Sequence, residues 1–245
     1  MPDNHPISDQ ERITANIDAV RAGIRSAAHQ AGRRPEDITL IAVSKTKPVA
    51  LVKMAYNAGV TQFGENRVQE ALPKIAEFRP PDLRWHMIGH LQSNKAHRVA
   101  SSFDYVQSVD SLHLAQALNR YTEAENRQRL PILLEVNIAG EQSKEGITTA
   151  ETVALARQVA ALPHLDLQGL MTVAPQVEDP EEVRPVFRAL RKLLERLRNE
   201  VPACSWRHLS MGMTDDYTIA IEEGATIVRI GRAIFGERVY KGDQQ

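Results

Sequence analysis

The chain has 245 residues, 30 of them basic and 31 acidic, for a formal net charge of −1. Balanced charge without a block of one sign argues against nucleic acid or anionic membranes as partners. A hydrophobic share of 42 % excludes a disordered chain. Cys204 is the single cysteine, which rules out an intrachain disulfide or a multi-cysteine metal site and suits a reducing cytoplasm. The opening MPDNHPISDQER lacks the apolar core of a signal peptide. No apolar run approaches the roughly 20 residues that span a bilayer.

Ser8 and Glu11 form a capping-box pair ahead of Ile13, Ile17, Val20 and Ile24 at helical spacing, with Gly32 as the C-cap. The run ITLIAVSK reads as a strand with both faces covered. Pro48 opens a helix that stops at Gly59. VTQFG is a short strand, followed by GEN and a helix over Arg67 to Phe78. RWHMIG is the next strand, with a helix from near Gln92. FDYVQSV reads as a strand and Leu112 to Glu125 as a helix. PILLEVNI is the clearest interior strand, and Thr149 to Leu162 is helical. LDLQGLMTV precedes a long charged helix over Pro180 to Asn199. WRHLSMG precedes a helix over Asp215 to Glu223, and ATIVRIG precedes the helical turn RAIFG.

Strands alternating with helices imply parallel pairing and right-handed crossovers. Eight such units in this length match a closed (β/α)₈ TIM-type barrel with an extra N-terminal helix, as one domain over residues 1–245. A doubly wound open sheet is the alternative. It is disfavoured because no GxGxxG fingerprint follows the first strand.

Barrels of this type carry their sites at the C-terminal ends of the strands. Those ends supply Ser44, Lys45 and Lys47; Gly64, Glu65 and Asn66; His86, Ile88 and Gly89; Asn137; and Met171. The last two strands add Ser210, Gly212, Met213 and Thr214, then Arg229, Gly231 and Arg232. SMGMTDD and RIGRAIFG each put a glycine before a helical turn, so two sets of backbone amides face one region and suit a phosphate. Read singly, Thr214 caps its helix and Gly231 turns the chain.

Lys45 and Lys47 are either solvated loop lysines or amines for Schiff-base chemistry. In the second reading Lys45 lies still within the strand. Lys47, two residues on and on the same side, lowers its pKa. A Schiff-base lysine facing a phosphate site suggests pyridoxal 5′-phosphate (PLP). His86 is a pocket wall or a hydrogen-bonded core residue. It has no second ligand at metal spacing. Glu65 is a general base or a first-turn acid, and Cys204 is structural.

The runs AVSKTKP, FGENRVQE, WHMIGHLQSNK, LEVNIAGEQSKEGI, LQGLMTV, LSMGMTDDY and VRIGRAIFGER closely resemble the PLP homeostasis protein family, from about Ile7 to Arg238. The resemblance implies the alanine racemase N-terminal barrel, a fold-type III PLP-binding barrel, without the C-terminal β domain. It implies Lys45 as the Schiff-base lysine. Ser210 and Thr214, with amides around Met213, Gly231 and Arg232, match the phosphate cradle. Arg229 matches an arginine at the pyridine nitrogen, and Asn66 a residue lining the cofactor. An arginine there keeps the nitrogen unprotonated and the ring a weak electron sink. The expectation is a cytoplasmic, monomeric PLP holder that supplies apo PLP-dependent enzymes without robust catalysis. A PLP-dependent amino-acid racemase of low activity is the alternative. A two-base racemase of this fold takes its second base, a tyrosine, from a later domain, and the expectation is that this chain, read to Gln245, lacks that domain.

Overall fold

Eight short apolar runs pair in parallel, each with the next, and the last returns to the first. The structure is a computed structural model describing residues 8–141 and 145–237. The ends of the 1–245 domain and residues 142–144 of the LEVNIAGEQSKEGI motif lie outside the described residues. The strands are β1 (Thr39–Val43), β2 (Gln62–Glu65), β3 (Arg84–Met87), β4 (Tyr105–Val109), β5 (Leu130–Glu135), β6 (Leu165–Met171), β7 (His208–Ser210) and β8 (Ile227–Ile230). β1 pairs with β2 through Ala42 and Phe63, and with β8 from Thr39 opposite Ile227 to Ala42 opposite Ile230. This is the closed TIM-type barrel that the alternation of elements implies. Closure leaves no strand edge exposed.

The helices that follow the strands in turn are α2 (Val49–Asn57), α3 (Val68–Glu77), α4 (Ala96–Ser102), α5 (Leu112–Ala124), α6 (Thr149–Ala160), α7 (Arg184–Glu200), α8 (Tyr217–Glu222) and α9 (Arg232–Phe235). Outward strand positions such as Ala42, Phe63, Trp85 and Val228 join the main core beneath them. Alternation sends Ile41, Leu133, Met171 and Ile227 inward as a separate cluster inside the barrel. No helix among the described residues is long and apolar enough to cross a membrane.

The leading helix α1 (Asp9–Gln30) has the expected capping box and buries Ile13, Ile17, Val20 and Ile24. Burial of each such side chain stabilises by roughly 1.5–3 kcal/mol. α1 packs on α2, α8 and α9. Because α9 is a single turn, α1 supplies the missing outer layer over the β8–β1 seam. Its polar side chains cap neighbours: Asn16 donates to the Ile234 carbonyl (3.0 Å), and Arg21 to those of Ala58 and Gly59 (2.9 and 2.8 Å).

Several boundaries differ from the sequence reading. β1 stops at Val43, so Lys45 lies in a turn rather than in the strand. The Pro180 helix begins as a 3₁₀ turn over Pro180–Val183 before α7. β7 is shorter than WRHLSMG, because Trp206 has φ +34 and cannot extend a strand. The helix near Gln92 is a 3₁₀ turn, Ser93–Lys95, before α4.

Candidate functional site

The turn after β1 is closed by the Lys47 amide donating to the Ser44 carbonyl (3.1 Å), with Thr46 at φ +63. A β-branched residue in the left-handed region is strained, by roughly 1–3 kcal/mol, and is held only by its surroundings. Those surroundings are on both sides. The Thr46 amide donates to Glu70 Oε2 (3.3 Å). Ser44 is fully buried, its hydroxyl donating to Glu65 Oε1 (2.6 Å) and its carbonyl accepting from Lys74 Nζ (2.8 Å). Half-buried Lys45 therefore sits between two anchored residues at the barrel mouth.

The turn also breaks the strand alternation, and this separates the two lysines. Lys47 Nζ donates to the carbonyls of Phe235, Gly236 and Glu237 (3.2, 3.2 and 2.8 Å) at the end of α9. It ties the β1 loop to that helix end, where a cation is favoured. The expectation that it faces Lys45 along an extended strand is corrected on that point. Glu65 is neither a free base nor a first-turn acid. It is buried against Lys74 (2.7 Å), and burial pushes its carboxyl above the usual range against the pull of Lys74.

Inside the barrel a directed chain of hydrogen bonds crosses from β8 to β2. Arg229 Nη1 donates to Ser210 Oγ (2.7 Å), and Ser210 Oγ to Gln107 Oε1 (2.6 Å). Gln107 Nε2 approaches His86 Nδ1 (3.1 Å), and His86 Nε2 approaches Gln62 Oε1 (2.8 Å). An amide nitrogen only donates, so Nδ1 accepts and Nε2 carries the proton. Burial, aided by His208, holds the imidazole pKa down at about 3, so His86 is neutral. Its ring stacks on Tyr105 with centroids 5.1 Å apart. Both nitrogens are thus used within the barrel, which favours the hydrogen-bonded core reading of His86 over the pocket wall. The Ser210 hydroxyl likewise donates to Gln107 and accepts from Arg229. Arg229 is anchored again by Nη2 donating to the Thr172 carbonyl (2.9 Å). Burial lowers its pKa to about 10, so it stays cationic at neutral pH.

The loops after β7 and β8 are laced together. The Ala233 amide donates to Thr214 Oγ1 (3.4 Å), and Arg232 pairs with Asp215. Thr214, Gly231 and Arg232 therefore converge as the sequence implies. The Met213 amide does not join them, because it donates to Asp216 Oδ1 (2.5 Å). Gly212 has φ +93, and a Cβ there would lie 2.6 Å from Ala220 Cβ and 2.9 Å from Tyr217 Cα. A Cβ on Gly231 would lie 3.3 Å from the Val43 carbonyl oxygen, so this loop runs against the end of β1, two residues from Lys45. On the other side of that turn Asn66 has a buried Oδ1 with no hydrogen-bond partner among the described residues.

Two residues of the mouth escape the sequence reading. Gln107 is hidden within FDYVQSV, where only the barrel's closure decides which side chains face inward. Glu135 ends β5 and is buried with Oε2 unpartnered among the described residues. Its carboxyl is pushed up to about 7 by burial, with Arg229 opposing and Asp110 and Glu145 adding to the rise. An acid ending the apolar run PILLE was the available signal. Asn137, the expected end of that strand, instead shapes the following loop through the Gly140 amide (2.9 Å). A cavity of about 470 Å³ lies at the opposite end of the barrel, by Arg21, Arg25, Glu36 and Gln62. It is remote from the mouth and lies at the face that serves stability in these barrels.

Residues 15–239 match the family model for the alanine racemase N-terminal domain. A pyridoxal phosphate homeostasis protein of Vibrio alginolyticus is 45 % identical over 232 residues, 93 % of this chain and 98 % of that protein. The Escherichia coli K12 protein of the same name is also 45 % identical, over 93 % of this chain and 97 % of its own. Among solved structures, PipY of Synechococcus elongatus with PLP bound superimposes with a TM-score of 0.81 at 36 % identity, covering 91 % of this chain and 100 % of PipY. An alanine racemase of Corynebacterium glutamicum shares the fold at 18 % identity and a TM-score of 0.68, over 92 % of this chain and 63 % of the racemase.

Proposed function

Since the chain belongs to the alanine racemase N-terminal domain family and, within it, to the pyridoxal phosphate homeostasis proteins, we propose that it binds PLP and serves PLP homeostasis. In this reading it holds the cofactor and delivers it to apo PLP-dependent enzymes without robust turnover of its own. The observation that carries the reading is the placement of Lys45. Its strained turn lies two residues beyond the part of β1 that the Gly231 loop contacts, and that loop is laced to Thr214. The residues present fit the cofactor. Thr214, Gly231 and Arg232 lie on the adjoining loops where a phosphate is proposed to sit, Asn66 has a buried Oδ1 without a partner among the described residues, and Lys45 carries an amine at the mouth. When bound, PLP supplies an aldehyde that condenses with amines.

The protein's own contribution is to hold and orient. Lys45 is the proposed covalent anchor. Arg229 is proposed to face the pyridine nitrogen, a placement its two fixed hydrogen bonds make rigid. A guanidinium has no acceptor and stays charged at neutral pH, so it leaves that nitrogen unprotonated. Carbanion chemistry is weakly supported in such a site, which favours a holder over a racemase.

Protein purified with PLP is expected to show visible absorbance from the bound cofactor, lost in Lys45→Ala and kept in Lys47→Ala. Loss in Lys47→Ala alone would overturn the choice of lysine. Incubation with an apo PLP-dependent enzyme should restore that enzyme's activity. Racemisation of amino acids at an enzyme-like rate would overturn the holder reading in favour of the racemase.

A further inference from the structure

The loops after β3, β4 and β5 bring His90, Asp110 and Glu145 together on the side of the mouth away from the β7–β8 loops. His90 Nδ1 lies 3.4 Å from Asp110 Oδ2 and 3.4 Å from Glu145 Oε2. One ligand atom from each of the three lies within 4.8 Å of the others. Charge-assisted N–H···O bonds run at about 2.7–2.9 Å, so both contacts are long for hydrogen bonds. They match another geometry. Nitrogen and oxygen ligands each about 2.1 Å from one cation stand about 3.4 Å apart along a tetrahedral edge.

A second observation points to the same place. Glu135, at the end of the neighbouring β5, is only 7 % exposed, and its Oε2 has no hydrogen-bond partner among the described residues. Asp110 and Glu145 are the negative charges acting on it, with Arg229 the positive one. Glu135 thus sits in the field of two further carboxylates with Arg229 as the opposing cation, and Arg229 is also drawn on by Asp216; an excess of buried negative charge is costly. A cation at the His90 cluster would offset that excess.

We propose that His90, Asp110 and Glu145 form a binding site for a divalent first-row transition cation, with the buried Glu135 at the end of β5 as a further negative charge in its field. One imidazole with carboxylates suits Zn²⁺ or Mn²⁺ rather than a soft, thiolate-seeking metal. The ion ties three mouth loops to one point. The chain-order spacing of 90, 110 and 145 conceals the set, since each ligand comes from a different strand–helix loop. This site does not rest on the PLP reading.

The test is equilibrium dialysis of tag-free, chelator-treated protein against Mn²⁺, with free Mn²⁺ read by electron paramagnetic resonance, with and without PLP. One equivalent is expected in both forms. Affinity should fall tenfold or more in His90→Ala and in Glu145→Gln, and should be unchanged in the surface control Glu123→Gln. The two ligand side chains are about half exposed, 45 % and 59 %, so both variants should melt like the parent. Glu135→Gln should weaken binding in the same direction, because it removes a negative charge from that field. Absence of saturable binding in the parent, or equal binding in His90→Ala and Glu145→Gln, would overturn the site and leave only surface ion pairs.

Discussion

At the residue scale, two lysines that differ by two positions are separated by one backbone angle. Thr46 at φ +63 turns the chain so that Lys47 reaches the carbonyls ending α9. That angle is not written in SKTKP, where a glycine or asparagine would have announced it. The same is true of Gln107. It is one polar letter in a strand, yet it joins Ser210 to His86 and so fixes the hydroxyl that anchors Arg229. Gln107→Leu removes acceptor and donor together, stranding a buried hydroxyl and a buried ring nitrogen. Stability should fall by about 1–3 kcal/mol for each group left unpaired, measured by urea unfolding. If Arg229 relies on Ser210, PLP affinity should fall as well, and unchanged stability would show that the chain of bonds contributes nothing. The sequence motifs place Lys45, Thr214, Gly231 and Asn66 at strand ends, because those motifs fix chain position, and their part in cofactor binding is the proposal made above. The hydrogen bonds of Ser210 and His86 were not legible, because their partners come from distant strands, whereas the Met213 amide is taken up three residues on by Asp216.

At the element scale, α7 is tied to the end of α8 by spacing that the sequence displays openly. Arg184, Arg188 and Arg191 lie on one helical stripe, and all three reach Glu223 (3.4, 2.7 and 3.3 Å). Arg184 also holds Glu222 (2.7 Å). The hydrogen bond from Arg188 leads in holding the Glu223 carboxyl below the usual carboxylate range, against burial, and Arg184 and Arg191 add to it. A folded-state pKa below the unfolded value means stability that is present above about pH 4.5. It is lost as pH falls through the lower folded value. Glu223→Gln should therefore cost about 1–3 kcal/mol at pH 7. The gap from the parent should close as pH falls below 4, as followed by denaturant unfolding across that range. A gap that persists in acid would mean that the glutamate's packing, not its charge, holds α8. The clamp matters for the site because α8 follows the Gly212–Asp216 loop and fixes one wall of the proposed phosphate space.

At the scale of the whole molecule, the site stands on a seam. Lys45 leaves β1, and the Gly231 loop leaves β8, and these two strands close the barrel. The alternation of eight units made the closed architecture legible, because no open sheet needs its last strand to return to its first. What covers the seam was less legible. α9 is too short to shield it, so α1, which precedes every strand in the chain, does so. Its periodic Ile13, Ile17, Val20 and Ile24 announced an amphipathic helix but not the neighbours it would meet. Ile17 is fully buried there. Truncation in Ile17→Ala should cost about 2–5 kcal/mol through lost burial and the cavity left behind, read from the midpoint of urea unfolding. Because the damage lies under the seam, α9 should loosen with it, and with α9 the carbonyls that hold Lys47. PLP should then dissociate faster from this variant than from one of equal instability placed beneath α5, such as Leu118→Ala, whose side chain is equally buried but lies far from β1 and β8. Equal cofactor off-rates in the two variants would separate the seam's stability from the site's function.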